Sequence, residues 1–183
     1  MREYAPSKIN LFLDVIRKRE DGYHDLETIF YPIYGLHDEL EVTQGTGHFI
    51  QEGIVGDCDP KKNLIWRCYE LMRAHYPQIG NVDIRLKKNI PFGAGLGGGS
   101  SDAAFTAKAL NEIFELGLSK DELAHIVSQL GADCAFFIYN TPCFATGIGD
   151  KLTPIDFDLS GKRLVMVKPD IAISTKDAYA NLV

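Results

Sequence analysis

Eleven consecutive residues, Pro91-Phe92-Gly93-Ala94-Gly95-Leu96-Gly97-Gly98-Gly99-Ser100-Ser101, hold five glycines within seven positions. That density suits a backbone bent around an anion, because glycine takes positive φ without steric cost and bare N–H groups approach a phosphate where no Cβ intervenes. Directly afterwards Asp102-Ala103-Ala104-Phe105-Thr106-Ala107 begins a helical pattern. The loop therefore opens onto a helix N-terminus, where unpaired N–H groups and the macrodipole both favour negative charge. A di- or triphosphate is the expected guest. Gly93, Gly95 and Gly98 match G-x-G-x-x-G, but Asn89-Ile90-Pro91 separates them from the preceding strand. No strand with a terminal acidic residue follows about 20 positions on, as a dinucleotide site requires. No Gly-Lys-Ser/Thr closes the loop, so the Walker pattern fails too. A third design remains, Pro-x-Gly-x-Gly-Leu-Gly-x-x-Ser-Ser.

Other residues are suited to chemistry, each with a plainer alternative. Asp133 lies between Gly131 and the apolar run Ala135-Phe136-Phe137-Ile138. A carboxylate at such an edge needs a partner or a purpose; the alternative is a helix-terminal Asp bonded to local backbone. Lys8 stands in a strand pattern where Lys8, Asn10 and Phe12 share one face and Ile9, Leu11 and Leu13 the other, which is equally compatible with a solvated edge lysine. Ser100 and Ser101 can cap the following helix or meet a phosphate oxygen, and the two roles are compatible. Tyr23 and His24 follow Asp21-Gly22, which is turn chemistry in its own right.

The elements that must position these residues are readable from periodicity. Apolar residues alternate from Lys8 to Lys18, at Leu40 and Val42, and at Val82, Ile84 and Leu86, the period of half-buried strands. Asn63 caps a helix with apolar residues at 64, 65, 68, 71 and 72, which Pro77 ends. A second helix carries Ala103, Ala104, Ala107, Leu110, Ile113 and Phe114 up to Gly117. Ser119 and Glu122 form a capping box for a third, with Leu123, Ile126, Val127 and Leu130 inward and Gly131 as its stop. Residues 134–139, 143–146 and 163–167 read as strands. Strands come early, helices in the middle and strands again late, so an α+β fold is expected rather than a doubly wound sheet.

With 183 residues, 45% of them hydrophobic and 24% charged, the chain can bury a substantial core. A formal net charge of -6 and no run of basic residues argue against nucleic acid or a membrane surface as partner. Cys58, Cys68, Cys134 and Cys143 form no C-x-x-C pair, so neither a disulfide framework nor a zinc knuckle is expected, and a reducing cytoplasm suits them. No leader or membrane span is read from the sequence.

The glycine segment, in its longer form PFGAGLGGGSSDAA, resembles the phosphate-binding motif of the GHMP kinase superfamily. The similarity extends to Pro6-Ser7-Lys8-Ile9-Asn10-Leu11, to Asp21-Gly22-Tyr23-His24 and to Leu130-Gly131-Ala132-Asp133, in that order. Together the four motifs are most similar to the branch that phosphorylates a cytidine diphosphate-linked sugar alcohol on the non-mevalonate route to isoprenoids. The resemblance implies a ribosomal-S5-like domain over residues 1–150, with 151–183 beginning a substrate domain. The family is longer and carries a C-terminal glycine motif beyond the last residue here, so a fragment is expected. It also implies transfer of the γ-phosphoryl group of ATP, accompanied by Mg2+, to a tertiary hydroxyl. Such a hydroxyl has a pKa of roughly 16 by analogy with water and needs its proton taken.

Carried over residue by residue, Asp133 matches the general base and Lys8 the active-site lysine, a cation able to stabilise charge on the attacking oxygen. Residues Pro91, Phe92, Gly93, Ala94, Gly95, Leu96, Gly97, Gly98, Gly99, Ser100 and Ser101 match the nucleotide cradle. Tyr23 and Tyr179 match rings that sandwich cytosine, His24 a reader of the base edge, and Asn10, Asn63 and Thr175 polar substrate contacts. Asp102 is not what a simple metal site would present, and no ligands for magnesium are assigned. A homoserine- or mevalonate-type acceptor, a dinucleotide-dependent oxidoreductase and a non-catalytic binding module are the rival readings.

Overall fold

The computed structural model describes residues 1–54 and 63–169. Its order is β1 (Arg2–Lys18), β2 (His24–Gln44), β3 (Phe49–Gly53), α1 (Leu64–His75), β4 (Val82–Lys88), α2 (Gly98–Ile113), α3 (Lys120–Ser128), α4 (Cys134–Tyr139), β5 (Cys143–Thr146) and β6 (Lys151–Pro154). One six-stranded sheet runs β3-β4-β2-β5-β6, with β1 paired along β2. All pairings are antiparallel except β3 with β4. The α+β expectation holds, and a doubly wound parallel sheet is excluded. The sheet crosses residue 150, because β6 pairs with β5.

The long β2 organises everything else. Its C-terminal half, Glu39 to Gln44, pairs with β4, and Thr28 to Phe30 pair with β5. Between these stretches the β1 register shifts: Pro6 lies opposite His37 and Ser7 opposite Ile33, so β2 carries three extra residues there. One of them, Tyr34, donates through its hydroxyl to the Asn140 carbonyl at 3.0 Å, tying this bulge to the end of α4.

The helices cover one face of the sheet, and α2 packs against β1, β2 and every other helix. Its small buried residues Ala103, Ala104, Ala107 and Ala109 permit that central position, with Leu110 completing its inner face. Around it Leu40, Val42, Ile65, Met72, Ile84, Leu86, Phe136 and Phe137 form the core. In α1 the Ile65 N–H donates to Asn63 Oδ1 at 2.9 Å, and Ile65, Cys68, Tyr69 and Met72 face inward. The capping box of α3 is present in both directions.

Two strand expectations fail. Residues 134–139 form helix α4, because all of Cys134 to Ile138 is buried and an apolar run without alternation fits either geometry. Asn140, at φ 51°, then closes that helix in the left-handed conformation, a helix stop rather than a strand turn. Residues 163–167 are not in a strand; Leu164, Val165, Met166 and Val167 are exposed and pair with no strand among the described residues. Among the described residues no helix is long and apolar enough to cross a membrane.

Candidate active site

The chain leaving β4 enters the glycine loop, where Gly93, Gly95 and Gly97 all take positive φ. Residues Pro91 to Ser100 line a cavity of about 230 Å3, with Leu64, Lys88 and Ile90 completing its wall. The loop ends at Gly97, the N-cap of α2, which offers no side-chain hydrogen bond to the helix. The first N–H groups of α2 therefore stay available to an anion arriving over the loop. Ser100 lines the cavity, whereas Ser101 is buried with its Oγ unpartnered.

A hydrogen bond joins the loop to β1. Opposite Lys8 on β2 stands Pro32, and the Lys8 N–H donates to Leu96 O at 2.9 Å. The Lys8 side chain is buried, 5% of the residue remaining exposed, so the solvated-edge alternative does not describe it. Its Nζ lies 3.3 Å from Asp133 Oδ2 and donates to Asn10 Oδ1 at 2.7 Å. It also sits 4.9 Å from the centre of the Phe30 ring. Asp133 is the N-cap of α4, yet its side chain makes no capping bond. The local-backbone alternative for Asp133 is thus not what it does; its carboxylate is one-third exposed and faces Lys8. Burial pushes the neighbouring Cys134 thiol up to about 11, so it remains a protonated, unreactive packing group.

The remaining sequence-derived residues are placed as follows. Asn10 uses its amide between Lys8 and Thr28. Asn63 caps α1 one residue before Leu64, at the rim of the loop cavity, and its Nδ2 donates to Gln51 Oε1 at 3.3 Å. Tyr23 is 60% exposed in the turn before β2, and His24 is buried at the first position of that strand. Thr175 and Tyr179 lie outside the described residues.

Sequence reasoning missed a buried charge cluster beneath the cradle. Lys88 Nζ donates to Asp38 Oδ2 at 2.5 Å and to Asp102 Oδ2 at 2.7 Å, all three side chains being almost fully buried. Asp38 Oδ1 also accepts the N–H groups of Asn89 and Ile90 at 2.6 and 2.9 Å, fastening the start of the loop to β2. Asp102 Oδ1 has no partner. Burial, with Asp38 close by, raises the Asp102 carboxyl to about 8 against the opposing pull of Lys88. Asp38 is better supplied with donors, accepting from Lys88, Asn89 and Ile90, whereas Asp102 accepts from Lys88 alone. The signal was present: Val82, Ile84, Leu86 and Lys88 share one face of β4, so the lysine continues a row of core residues.

A glycine cradle opening on a helix, beside a buried lysine and a carboxylate, on this mixed sheet, defines a GHMP-type phosphotransferase domain. Residues 63–141 match the family described as GHMP kinases N terminal domain. The whole chain is 50% identical to 4-diphosphocytidyl-2-C-methyl-D-erythritol kinase of Azobacteroides pseudotrichonymphae and 48% identical to that of Bacteroides fragilis, covering 68% of each. A crystal structure of 4-(cytidine 5'-diphospho)-2C-methyl-D-erythritol kinase superposes with a TM-score of 0.74 at 37% identity, over 90% of this chain and 61% of that one. The Methanococcus jannaschii mevalonate kinase shares the fold, at 17% identity and a TM-score of 0.63. The chain belongs to the 4-diphosphocytidyl-2-C-methyl-D-erythritol kinase family and spans about two thirds of the length of these relatives.

Proposed function

We propose that this chain binds ATP and carries the phosphoryl-transfer centre for the 2-hydroxyl of 4-diphosphocytidyl-2-C-methyl-D-erythritol, a step of non-mevalonate isoprenoid precursor synthesis. The observation that carries this reading is the Lys8–Asp133 pair, 3.3 Å apart, on a strand whose Lys8 N–H is bonded to the glycine loop. Nucleotide cradle, base and cation are thereby joined through one residue. In this reading the loop N–H groups hold the phosphates, Asp133 accepts the hydroxyl proton as the bond to phosphorus forms, and Lys8 offsets the charge on the attacking oxygen. Among the described residues no group of three His, Cys, Asp or Glu could hold a metal. Magnesium arriving with ATP would be carried largely by phosphate oxygens and would neutralise charge on the transferred group.

Tyr23 and His24, together with Asn10, Asn63, Thr175 and Tyr179, are the proposed contacts of the cytidine and the alcohol. A cytoplasmic setting is proposed on the free thiols of Cys68, Cys134 and Cys143. The test is ATP-dependent phosphorylation of the cytidine substrate beside homoserine and mevalonate. Asp133→Ala should cut turnover by about 10² to 10⁴ while ATP affinity changes only a few-fold. Turnover of homoserine or mevalonate with none of the cytidine substrate would overturn the acceptor, and wild-type turnover in Asp133→Ala would overturn the base.

A further inference from the structure

A polar chain runs through β1 and β2 whose direction is fixed at both ends. Lys8 Nζ can only donate, so Asn10 meets it with Oδ1, at 2.7 Å. The Asn10 Nδ2 is then turned to Thr28, whose Oγ1 accepts at 2.8 Å. Having accepted there, the Thr28 hydroxyl donates to the Phe12 carbonyl, which can only accept. Reversing any one link would set two donors or two acceptors against each other. Phe12 lies within the register shift between Asn10 and Leu13, where regular pairing is interrupted and a backbone carbonyl is open to a side chain.

We propose that Thr28 is a positioning residue that sets the Lys8 ammonium beside Asp133, through the amide of Asn10. The proposal rests on the kinase reading above for what Lys8 does, though not for where Lys8 is held. Thr28 is well placed for the task, being fully buried and pinned between Leu13 of β1 and Ala145 of β5 in the middle of the sheet. The Lys8 stem is long and flexible, and its contact with the part-exposed Asp133 is the longer of its two polar contacts. The shorter bond to Asn10 is the directional restraint, and Thr28, by accepting from Nδ2, holds that amide where its Oδ1 meets the ammonium. With two ammonium protons directed at Asn10 and Asp133, the third remains for an oxygen of the substrate.

The test uses the full chain labelled with 15N-lysine, the Lys8 ammonium signal being assigned by Lys8→Arg. Wild type should show a protected, slowly exchanging ammonium; Thr28→Val should lose that protection and Thr28→Ser should keep it. In turnover assays Thr28→Val should lower kcat by about 10- to 100-fold, with KM for ATP within about threefold and most activity restored in Thr28→Ser. Thr28→Ala, which removes the hydroxyl without adding a branch, carries the same expectation if Thr28→Val does not fold. An equally protected ammonium in the hydroxyl-less variant, an unprotected one in wild type, or unchanged kcat would overturn the proposal. If the wild-type chain phosphorylates homoserine or mevalonate and none of the cytidine substrate, the functional reading fails while the ammonium signal still decides the positioning role.

Discussion

Gly97→Ala tests whether the cradle and the catalytic pair are one packed unit. Gly97 has φ +69°, and a Cβ there would lie 2.9 Å from two ring carbons of Phe137 and 3.1 Å from Lys8 Cγ. Holding an alanine in the left-handed region costs roughly 1–2 kcal/mol. Phe137 is fully buried and cannot yield freely, so the steric conflict adds about 1–3 kcal/mol, the usual cost of overpacking. The sum, about 2–5 kcal/mol, corresponds to a melting temperature lower by about 4–20 °C for a chain of this size. Gly93→Ala is the internal control, since Gly93 has φ +63° but nothing within 4 Å of its Cβ position. It should cost only the conformational share, about 2–8 °C. Urea or thermal denaturation of both variants measures the difference directly. Relief of the clash in Gly97→Ala would push the Lys8 stem aside, so any folded variant should also lose turnover. Equal destabilisation of the two variants would refute the claim that the loop, Phe137 and Lys8 are in mutual contact.

Asp102→Asn should flatten the pH dependence of stability. Between about pH 4 and about 8 the folded chain keeps on Asp102 a proton that the unfolded chain has released, so wild-type stability falls as pH rises through that window. The slope, at most about 1.4 kcal/mol per pH unit, is read from urea midpoints at pH 5 and 8, and an unchanged difference in the variant would discount Asp102 as its source. Tyr23→Ala should raise KM for the cytidine substrate about tenfold with kcat retained, as expected for the loss of one stacked ring; initial-rate kinetics decide it. Ser119→Ala, which removes the exposed capping box of α3, should cost about 1 kcal/mol with turnover per folded molecule unchanged.

The parts of this domain legible in the sequence are those whose signal is local. Helix α1 is announced by the Asn63 cap and the spacing of Ile65, Cys68 and Met72; α3 is announced by Ser119 and Glu122. The glycine loop is legible for the same reason, since its left-handed positions demand a residue type that stands out in the chain. What escaped depends on pairing across long separations. Strand β2 runs for 21 residues, but the bulge at 34–36 and the switch of partner from β4 to β5 break its alternation, so only Leu40 and Val42 announce it. Helix α4 is buried all round, which removes the one-sided pattern that separates helix from strand.

The charge cluster shows the same limit at the level of the site. Nothing local links Asp38, Lys88 and Asp102, yet each occupies a position where the surrounding pattern calls for an apolar residue. Removing the Lys88 ammonium or the Asp38 carboxylate would strand a buried charge. The three converge where β2, β4 and the start of α2 meet, and Asp38 also takes the two N–H groups that begin the loop. The loop's glycines allow it to bend around a phosphate, but that freedom alone would leave many shapes open. Asp38 at one end and the Lys8–Leu96 bond near the other reduce those shapes to one, and the second bond fixes the cradle to the lysine that faces Asp133. The glycines therefore supply compliance, and the polar groups that periodicity hides supply the geometry that the chemistry needs.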